Sequence, residues 1–303
     1  MKIAVLGIGG VGGVIASALN EKSDELILIA RGETKDAIKE NGLYVESDVL
    51  GVRTIKPALV SDDPQEIGTV DILIIASKNY SLGSAVKQYE DIIGDDTLVI
   101  PTQNGFAASK IIKNALDGKG IVADGYIYCF SNIIAPGKIR NVGPMLRMGI
   151  GFPDKIKCEK AEYIVKALSD GGLQSVYSDT ILKSIWEKYL VMGGNSCVFI
   201  YYDSNAGGVK EYPERLEFLR NIYEDIGRLA NASRITFTED IFEKSLEEFK
   251  AYHPESISSL YRDIRDGKKD TEFDAVIGEG YLLGKELNVE TPFIDKVYHK
   301  MRG

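Results

Sequence analysis

Gly7-Ile8-Gly9-Gly10-Val11-Gly12 spells G-x-G-x-x-G. In a chain with 31 glycines the spelling alone would mean little. Its setting is more telling. It follows the apolar run 2–6 (KIAVL), opens a small-residue segment that reads as a helix from Gly9 to Leu19, and precedes a second apolar run, 25–30 (ELILIA). A strand, a tight glycine turn, a helix and a second strand within about 30 residues form the arrangement that cradles a dinucleotide. Gly7 permits the turn, Gly9 lets a pyrophosphate approach the backbone, and Gly12 lets helix and strand pack closely. The first amides of the helix then face the phosphate charge. Gly7, Ile8, Gly9, Gly10, Val11 and Gly12 are therefore candidate cofactor contacts.

The residues after the second run bear on which dinucleotide is held. An NAD site places a carboxylate there to hold the ribose hydroxyls. Here the chain reads Ala30-Arg31-Gly32. A guanidinium binds a 2′-phosphate through paired hydrogen bonds, where a carboxylate would repel it. Arg31 therefore favours NADPH, while Glu33 keeps an NAD reading open. Two more loops follow apolar runs. Lys78 comes after DILIIA (71–76) and can reach a cofactor phosphate. Asn104 comes after TLVIP (97–101) and can meet the nicotinamide ribose or a substrate. Loop lysines and Asn-Gly turns are also common without any function.

The elements that would position these groups alternate. Apolar runs at 2–6, 25–30, 43–46 or 52–60, 71–76, 97–101 and 121–130 are separated by helical stretches such as 33–40 and 81–91. That alternation predicts an α/β fold, a Rossmann-type doubly wound parallel sheet. Residues 137–151 carry scattered glycines, and 173–177 reads as a late strand. From Asp179 the pattern turns helical. Helices are expected from Thr180 through Trp186, over 211–233, 239–251, 255–266, 271–287 and 292–302, with no strong strand after 180. A cofactor domain over 1–178 and an all-helical C-terminal domain over 179–303 follow. The apolar face of 211–233 fits either a core helix or a homodimer contact.

Composition removes several classes. The 45 acidic against 36 basic residues, net −9, disfavour nucleic acid and anionic membrane surfaces as partners. No apolar run reaches the roughly 18 residues of a membrane helix. Lys2 and the apolar stretch to Ala16-Ser17-Ala18 loosely resemble a secretory signal, but the glycine turn accounts for the same residues. Cys129, Cys158 and Cys197 are scattered, which suits reduced thiols in the cytoplasm and no metal site. Only His253 and His299 are present. With so few histidines, a lysine, tyrosine or carboxylate becomes the better candidate for proton transfer.

The whole ordered set resembles the ketopantoate reductase (2-dehydropantoate 2-reductase) family. Its marks are GIGGVGG at 7–13, Arg31, the Lys78 loop, Asn104-Gly105, Trp186-Glu187-Lys188, SISSLYRDI at 256–264 and TEFD at 271–274. The resemblance covers nearly the whole chain. It implies reduction of a 2-oxo acid by NADPH, ketopantoate to pantoate on the route to pantothenate and coenzyme A. It implies Lys188 as catalytic acid, Ser259 and Glu272 as substrate-holding residues, and Asn104 near both ligands. The chemistry agrees, since hydride delivery to a ketone leaves an alkoxide-like oxygen that a cationic donor can stabilise and protonate. Two positions depart from the family. The usual asparagines four and eight residues after the lysine are Met192 and Ser196 here. Asn195, seven residues on, falls within roughly 20° of the Lys188 direction on a helix and could supply an amide to the substrate instead. Gly193-Gly194 inside this helix costs about 1 kcal/mol per residue against alanine, which points to close packing, a bend or a ligand. Because of Met192 and Ser196, a different small 2-oxo acid, or an NADP(H)-binding regulatory protein without turnover, stays open beside ketopantoate.

Overall fold

The computed structural model describes residues 1–303. The chain divides into two compact units. The first holds Met1–Gln103 and Ala108–Ile181; the second holds Asn104–Ala107 and Leu182–Gly303. The division after Ile181 lies three residues beyond the expected 178. The segment Asn104–Ala107, read as part of the first domain, instead packs with the helical one.

The first unit contains eleven strands: β1 (Lys2–Leu6), β2 (Glu25–Ile29), β3 (Leu43–Ser47), β4 (Gly51–Ile55), β5 (Leu59–Ser61), β6 (Val70–Ile75), β7 (Ile93–Pro101), β8 (Ile121–Val122), β9 (Asp124–Ala135), β10 (Lys138–Gly151) and β11 (Gln174–Tyr177). Six of them form a sheet in the order β5-β2-β1-β6-β7-β8. Every pairing in it is parallel. Helices on both faces leave no room for polar side chains, so these strands read as continuous apolar runs. Their two-residue period divides the side chains cleanly. Ile3, Val5, Leu26, Leu28, Ile72 and Ile74 enter one core with Val14, Ile15, Ile164 and Leu168. Ala4, Leu6, Ile27, Ile29, Leu73 and Ile75 enter another with Leu82, Val86 and Ile112.

A second, five-stranded sheet was not legible as such. Its order is β11-β10-β3-β4, with β9 also pairing β10. β9 and β10 make a long antiparallel hairpin, closed by Ala135↔Lys138 and extending to Asp124↔Gly151. The sequence reading left 137–151 unassigned because of its glycines. Gly143, at φ +80, lies within the register shift between Asn141 and Leu146. Such a bulge breaks the alternation by which a strand is recognised.

The hairpin explains the run of glycines in the first helix, Gly10–Leu19. A Cβ on Gly10 would come within 2.7 Å of the Ser131 Oγ on β9, and one on Gly13 within 2.6 Å of the Ile139 Cγ1 on β10. A Cβ on Gly12 would be driven into the Gly7 carbonyl. Gly7 itself sits at φ +95, a conformation that glycine adopts without steric cost.

The second unit is helical. Ile181–Tyr202 continues unbroken through Gly193-Gly194. Pro213–Ala232 buries Phe218, Leu219, Ile222, Tyr223, Ile226, Leu229 and Ala230, so its apolar face is spent in the core of its own unit. A Cβ on Gly194 would meet the Tyr223 ring at 2.6 Å. Close packing of these two helices is the reason for that glycine. No helix in the chain is long and apolar enough to cross a membrane.

Gly12→Ala is expected to lower stability by about 1–3 kcal/mol through overpacking at the helix–strand contact. Thermal melts of the two proteins, followed by circular dichroism, check it.

Candidate active site

The first unit gathers the expected cofactor residues at the carboxyl ends of β1, β2 and β6. The helix Gly10–Leu19 starts at Gly9, whose extended backbone carries no capping side chain. Its first amides are thus available to an anion. Nothing lies within 4 Å of the position a Cβ would take on Gly9. Beside the turn, the Ser77 Oγ is buried without a hydrogen-bond partner, and the Ser77 amide lies 2.8 Å from a Cβ built on Gly7. An open cradle with an orphaned hydroxyl at its edge fits a phosphate group. Arg31 is exposed at the start of the helix Gly32–Asn41. Its Nη2 donates to the Gln88 Oε1 at 2.7 Å, and its guanidinium sits 5.8 Å from the Tyr89 ring. Lys78 is exposed just before the turn Asn79–Ser81.

The second unit holds a pocket lined by Asn104, Lys188, Met192, Ser196, Ser259 and Glu272, among others. Lys188, only 6% exposed, donates from Nζ to the Asn104 Oδ1 at 2.9 Å. The Asn104 Nδ2 points to the Glu272 Oε2 at 3.5 Å. One amide therefore faces a cation with its carbonyl and an anion with its nitrogen. Ser259 opens the helix Ser259–Arg265, capped by the neighbouring Ser258, whose Oγ accepts from the Tyr261 amide at 3.1 Å. With Ser258 serving as the cap, the Ser259 hydroxyl is not needed for it. Glu272 precedes the π-turn Asp274–Gly278.

Positions four and eight residues beyond Lys188 do reach this pocket, as Met192 and Ser196. The Ser196 Oγ donates to the Met192 carbonyl at 2.7 Å, which leaves the hydroxyl only as an acceptor toward the pocket. Asn195 does not join them. It is 4% exposed, its Oδ1 accepts from the Tyr223 hydroxyl at 2.7 Å, and its Nδ2 faces the Tyr252 hydroxyl at 3.5 Å. The angular argument put Asn195 on the Lys188 side, but the helix there packs on Tyr223, which takes the amide into the core. Gly193 lines the pocket, with the Tyr189 ring 3.0 Å from where its Cβ would be.

The sequence reading also missed how the Asn104 segment is held. Phe106 stacks on Trp186 at 4.5 Å and 13°, and meets Tyr189 edge-on at 4.9 Å. The only local signal was Trp186 itself, too large and apolar for an exposed helix face.

Comparison with known proteins follows the same division of the chain. Residues 3–155 match the family described as Ketopantoate reductase PanE/ApbA, and residues 180–303 match Ketopantoate reductase PanE/ApbA C terminal. The chain belongs to the ketopantoate reductase family. It is 25% identical to the 2-dehydropantoate 2-reductase of Aquifex aeolicus (strain VF5), covering 98% of this chain and 96% of that one. The solved 2-dehydropantoate 2-reductase from Methylococcus capsulatus superposes with a TM-score of 0.91 at 21% identity, covering 100% and 96%. A D-mandelate dehydrogenase, solved with NADH and anilino(oxo)acetate, superposes with a TM-score of 0.84 at 23% identity, covering 99% and 98%. Membership makes this ketopantoate reductase relative an oxidoreductase of the CH–OH class, one that uses a nicotinamide cofactor on a 2-oxo acid.

Asn104→Ala strips a buried ammonium of its carbonyl acceptor. The expected cost is about 1–3 kcal/mol of stability, read from urea unfolding curves of variant and parent.

Proposed function

We propose that this protein reduces ketopantoate to pantoate with NADPH, in the supply of pantothenate and coenzyme A, with Lys188 as the general acid. The observation that carries the reading is the Lys188 ammonium. It is buried in a small pocket and held at 2.9 Å by Asn104, with Ser259 and Glu272 on the same lining. The Gly7–Gly12 turn would hold the cofactor pyrophosphate and Arg31 its 2′-phosphate, with Lys78 adding positive charge nearby. The exposed guanidinium of Arg31, tethered to Gln88, supports the phosphate role. The scattered cysteines Cys129, Cys158 and Cys197 suit a reducing compartment such as the cytoplasm.

The bound nicotinamide supplies a hydride to C2 of the oxo acid. This chain's residues manage the oxygen. As C2 gains its hydride, the π pair of the C=O bond moves onto oxygen, leaving a single C–O bond to an alkoxide-like oxygen. The Lys188 Nζ donates a hydrogen bond to it, stabilises the growing charge and then gives up a proton to complete the alcohol. Asn104 keeps Nζ from turning away by accepting one of its three N–H groups. The Ser259 hydroxyl donates to the substrate carboxylate. The Glu272 carboxylate can accept from a substrate hydroxyl, and through Asn104 it stabilises the cation.

A second reading has its own observation. Met192 and Ser196 line the pocket at the two positions where the family resemblance implies asparagines, so another small 2-oxo acid competes with ketopantoate as the substrate.

Lys188→Ala should lower turnover about 100- to 10,000-fold while leaving the Kd for NADPH unchanged, as measured by fluorescence titration. Wild-type turnover would remove Lys188 from the reaction. In the same assays, ketopantoate run beside other branched 2-oxo acids decides the substrate. A higher kcat/KM for an acid without the hydroxyl favours the second reading. Arg31→Ala should raise the KM for NADPH about 10- to 100-fold, the worth of one charge-assisted pair, and leave NADH kinetics unchanged. A parallel loss with both cofactors would show that Arg31 does not read the phosphate.

A further inference from the structure

A chain of hydrogen bonds crosses the five-stranded sheet and ends beside the glycine turn. It begins at Ser47, the last residue of β3. The Ser47 Oγ accepts from the Val49 amide at 3.1 Å and from the Leu50 amide at 3.0 Å. With both acceptor positions taken, its one hydrogen goes to the Asn141 Oδ1 at 2.6 Å. That bond fixes which way the Asn141 amide faces. Its Nδ2 donates to the Phe130 carbonyl at 3.0 Å and faces the Cys129 Sγ at 3.8 Å. The Cys129 thiol in turn donates to the Ser131 Oγ at 3.3 Å. Asn141 is fully buried and pairs with Ser131 across the hairpin. Every hydrogen in the chain therefore points from Ser47 towards Ser131. The half-buried Ser131 hydroxyl, at its end, accepts a bond and keeps its own hydrogen.

What that hydroxyl faces is the first turn of the helix Gly10–Leu19. The Ser131 Oγ lies 2.7 Å from the position a Cβ would take on Gly10. A helical Cβ tilts back toward the N-terminus, so a group in that place stands at the mouth of the helix, beside its first amides. Packing of β9 on this helix accounts for the glycine but not for the hydroxyl. An alanine at 131 would fill the same space and leave no hydrogen in want of an acceptor.

We infer that Ser131 is a further cofactor-binding residue, whose hydroxyl donates to the pyrophosphate at the mouth of this helix. The inference rests on the reading of the Gly7–Gly12 turn as the pyrophosphate site. Gly9 brings no capping side chain there, so Ser131 and the Ser77 hydroxyl orphaned near Gly7 are the side-chain donors that supplement the backbone amides.

The test titrates the full-length protein by calorimetry with three ligands. NADPH is the first. The second is 2′-phospho-ADP-ribose, which keeps the pyrophosphate and lacks the nicotinamide. The third is adenosine 2′-monophosphate, which lacks both. Ser131→Ala is expected to raise the Kd for the first two alike, about 10- to 100-fold, the worth of one hydrogen bond to a charged group. It should leave the third within about twofold and the thermal midpoint of the unliganded protein unchanged. The inference is overturned by wild-type affinity in Ser131→Ala, by a loss confined to NADPH, or by an equal loss with adenosine 2′-monophosphate. Gly9→Val is run alongside. Nothing lies within 4 Å of its Cβ position, so the added side chain fills the cradle without straining the fold. If Gly9→Val binds NADPH as wild type does, the pyrophosphate reading of the turn has failed. If it loses affinity while Ser131→Ala does not, only the Ser131 role has failed.

Discussion

The hydrogen bond from the Lys188 Nζ to the Asn104 Oδ1 is the constraint around which the helical unit is arranged. An ammonium that is 6% exposed has lost most of its hydration, and the penalty for that is several kcal/mol unless fixed dipoles or charges replace the water. Asn104 supplies a carbonyl at 2.9 Å, and its amide turns toward Glu272 at 3.5 Å. An asparagine suits this place because its two ends have opposite polarity. A second carboxylate would cancel the positive field around Lys188, and a second cation would expel the lysine. Because Asn104 comes from a segment remote in sequence, that segment must be gripped independently. The close approach of Gly105 to the Ala275 carbonyl and the Phe106–Trp186 stack are the parts that grip it.

The helix Ile181–Tyr202 shows how one element serves both the pocket and the core. Lys188, Met192 and Ser196 recur every four residues and line the pocket, with Tyr189 and Gly193 beside them. Gly194 and Asn195 lie past the edge of that stripe and meet Tyr223. The adjacent glycines therefore have separate causes, one against the pocket and the Tyr189 ring, the other against a core tyrosine. Their helix-propensity cost is offset by packing that an alanine at 194 would obstruct.

Legibility followed the physics of each region. The parallel sheet could be read because strands covered on both faces must be apolar throughout, and the Gly7–Gly12 turn because its backbone tolerates few other residues. The β9–β10 hairpin escaped because a bulge at Gly143 interrupts its period and because several of its apolar side chains are exposed. Phe130, Ile133, Ile134 and Val142 face solvent, so no clean alternation of apolar and polar residues survives. Lys188, Ser259 and Glu272 were picked out through family likeness, and they line one pocket. Asn195 was placed by helix angle alone. An angle says which way a side chain leaves its own helix, not which neighbour waits there.

The pocket's hydrogen-bond inventory constrains what it can discriminate. Lys188 and Ser259 offer donors and Glu272 an acceptor, while Met192, Leu260 and Val276 add an apolar lining. Ser196 has spent its hydrogen on the Met192 carbonyl and can only accept. A substrate hydroxyl near Ser196 would be satisfied, but a substrate lacking it would leave no donor stranded, since the Ser196 oxygen already takes part in one hydrogen bond. Two asparagine amides at these positions would behave differently, because an unmatched buried N–H is penalised in full. Discrimination is steep only where a missing substrate group strands a buried polar partner, and shallow where the wall is a thioether. On the proposed reading of this pocket, a lining of this kind would select among small 2-oxo acids chiefly through Glu272 and through shape. Glu272 is also the residue that Asn104 links to the Lys188 ammonium, so a group proposed to recognise the substrate would also help set the field at Lys188.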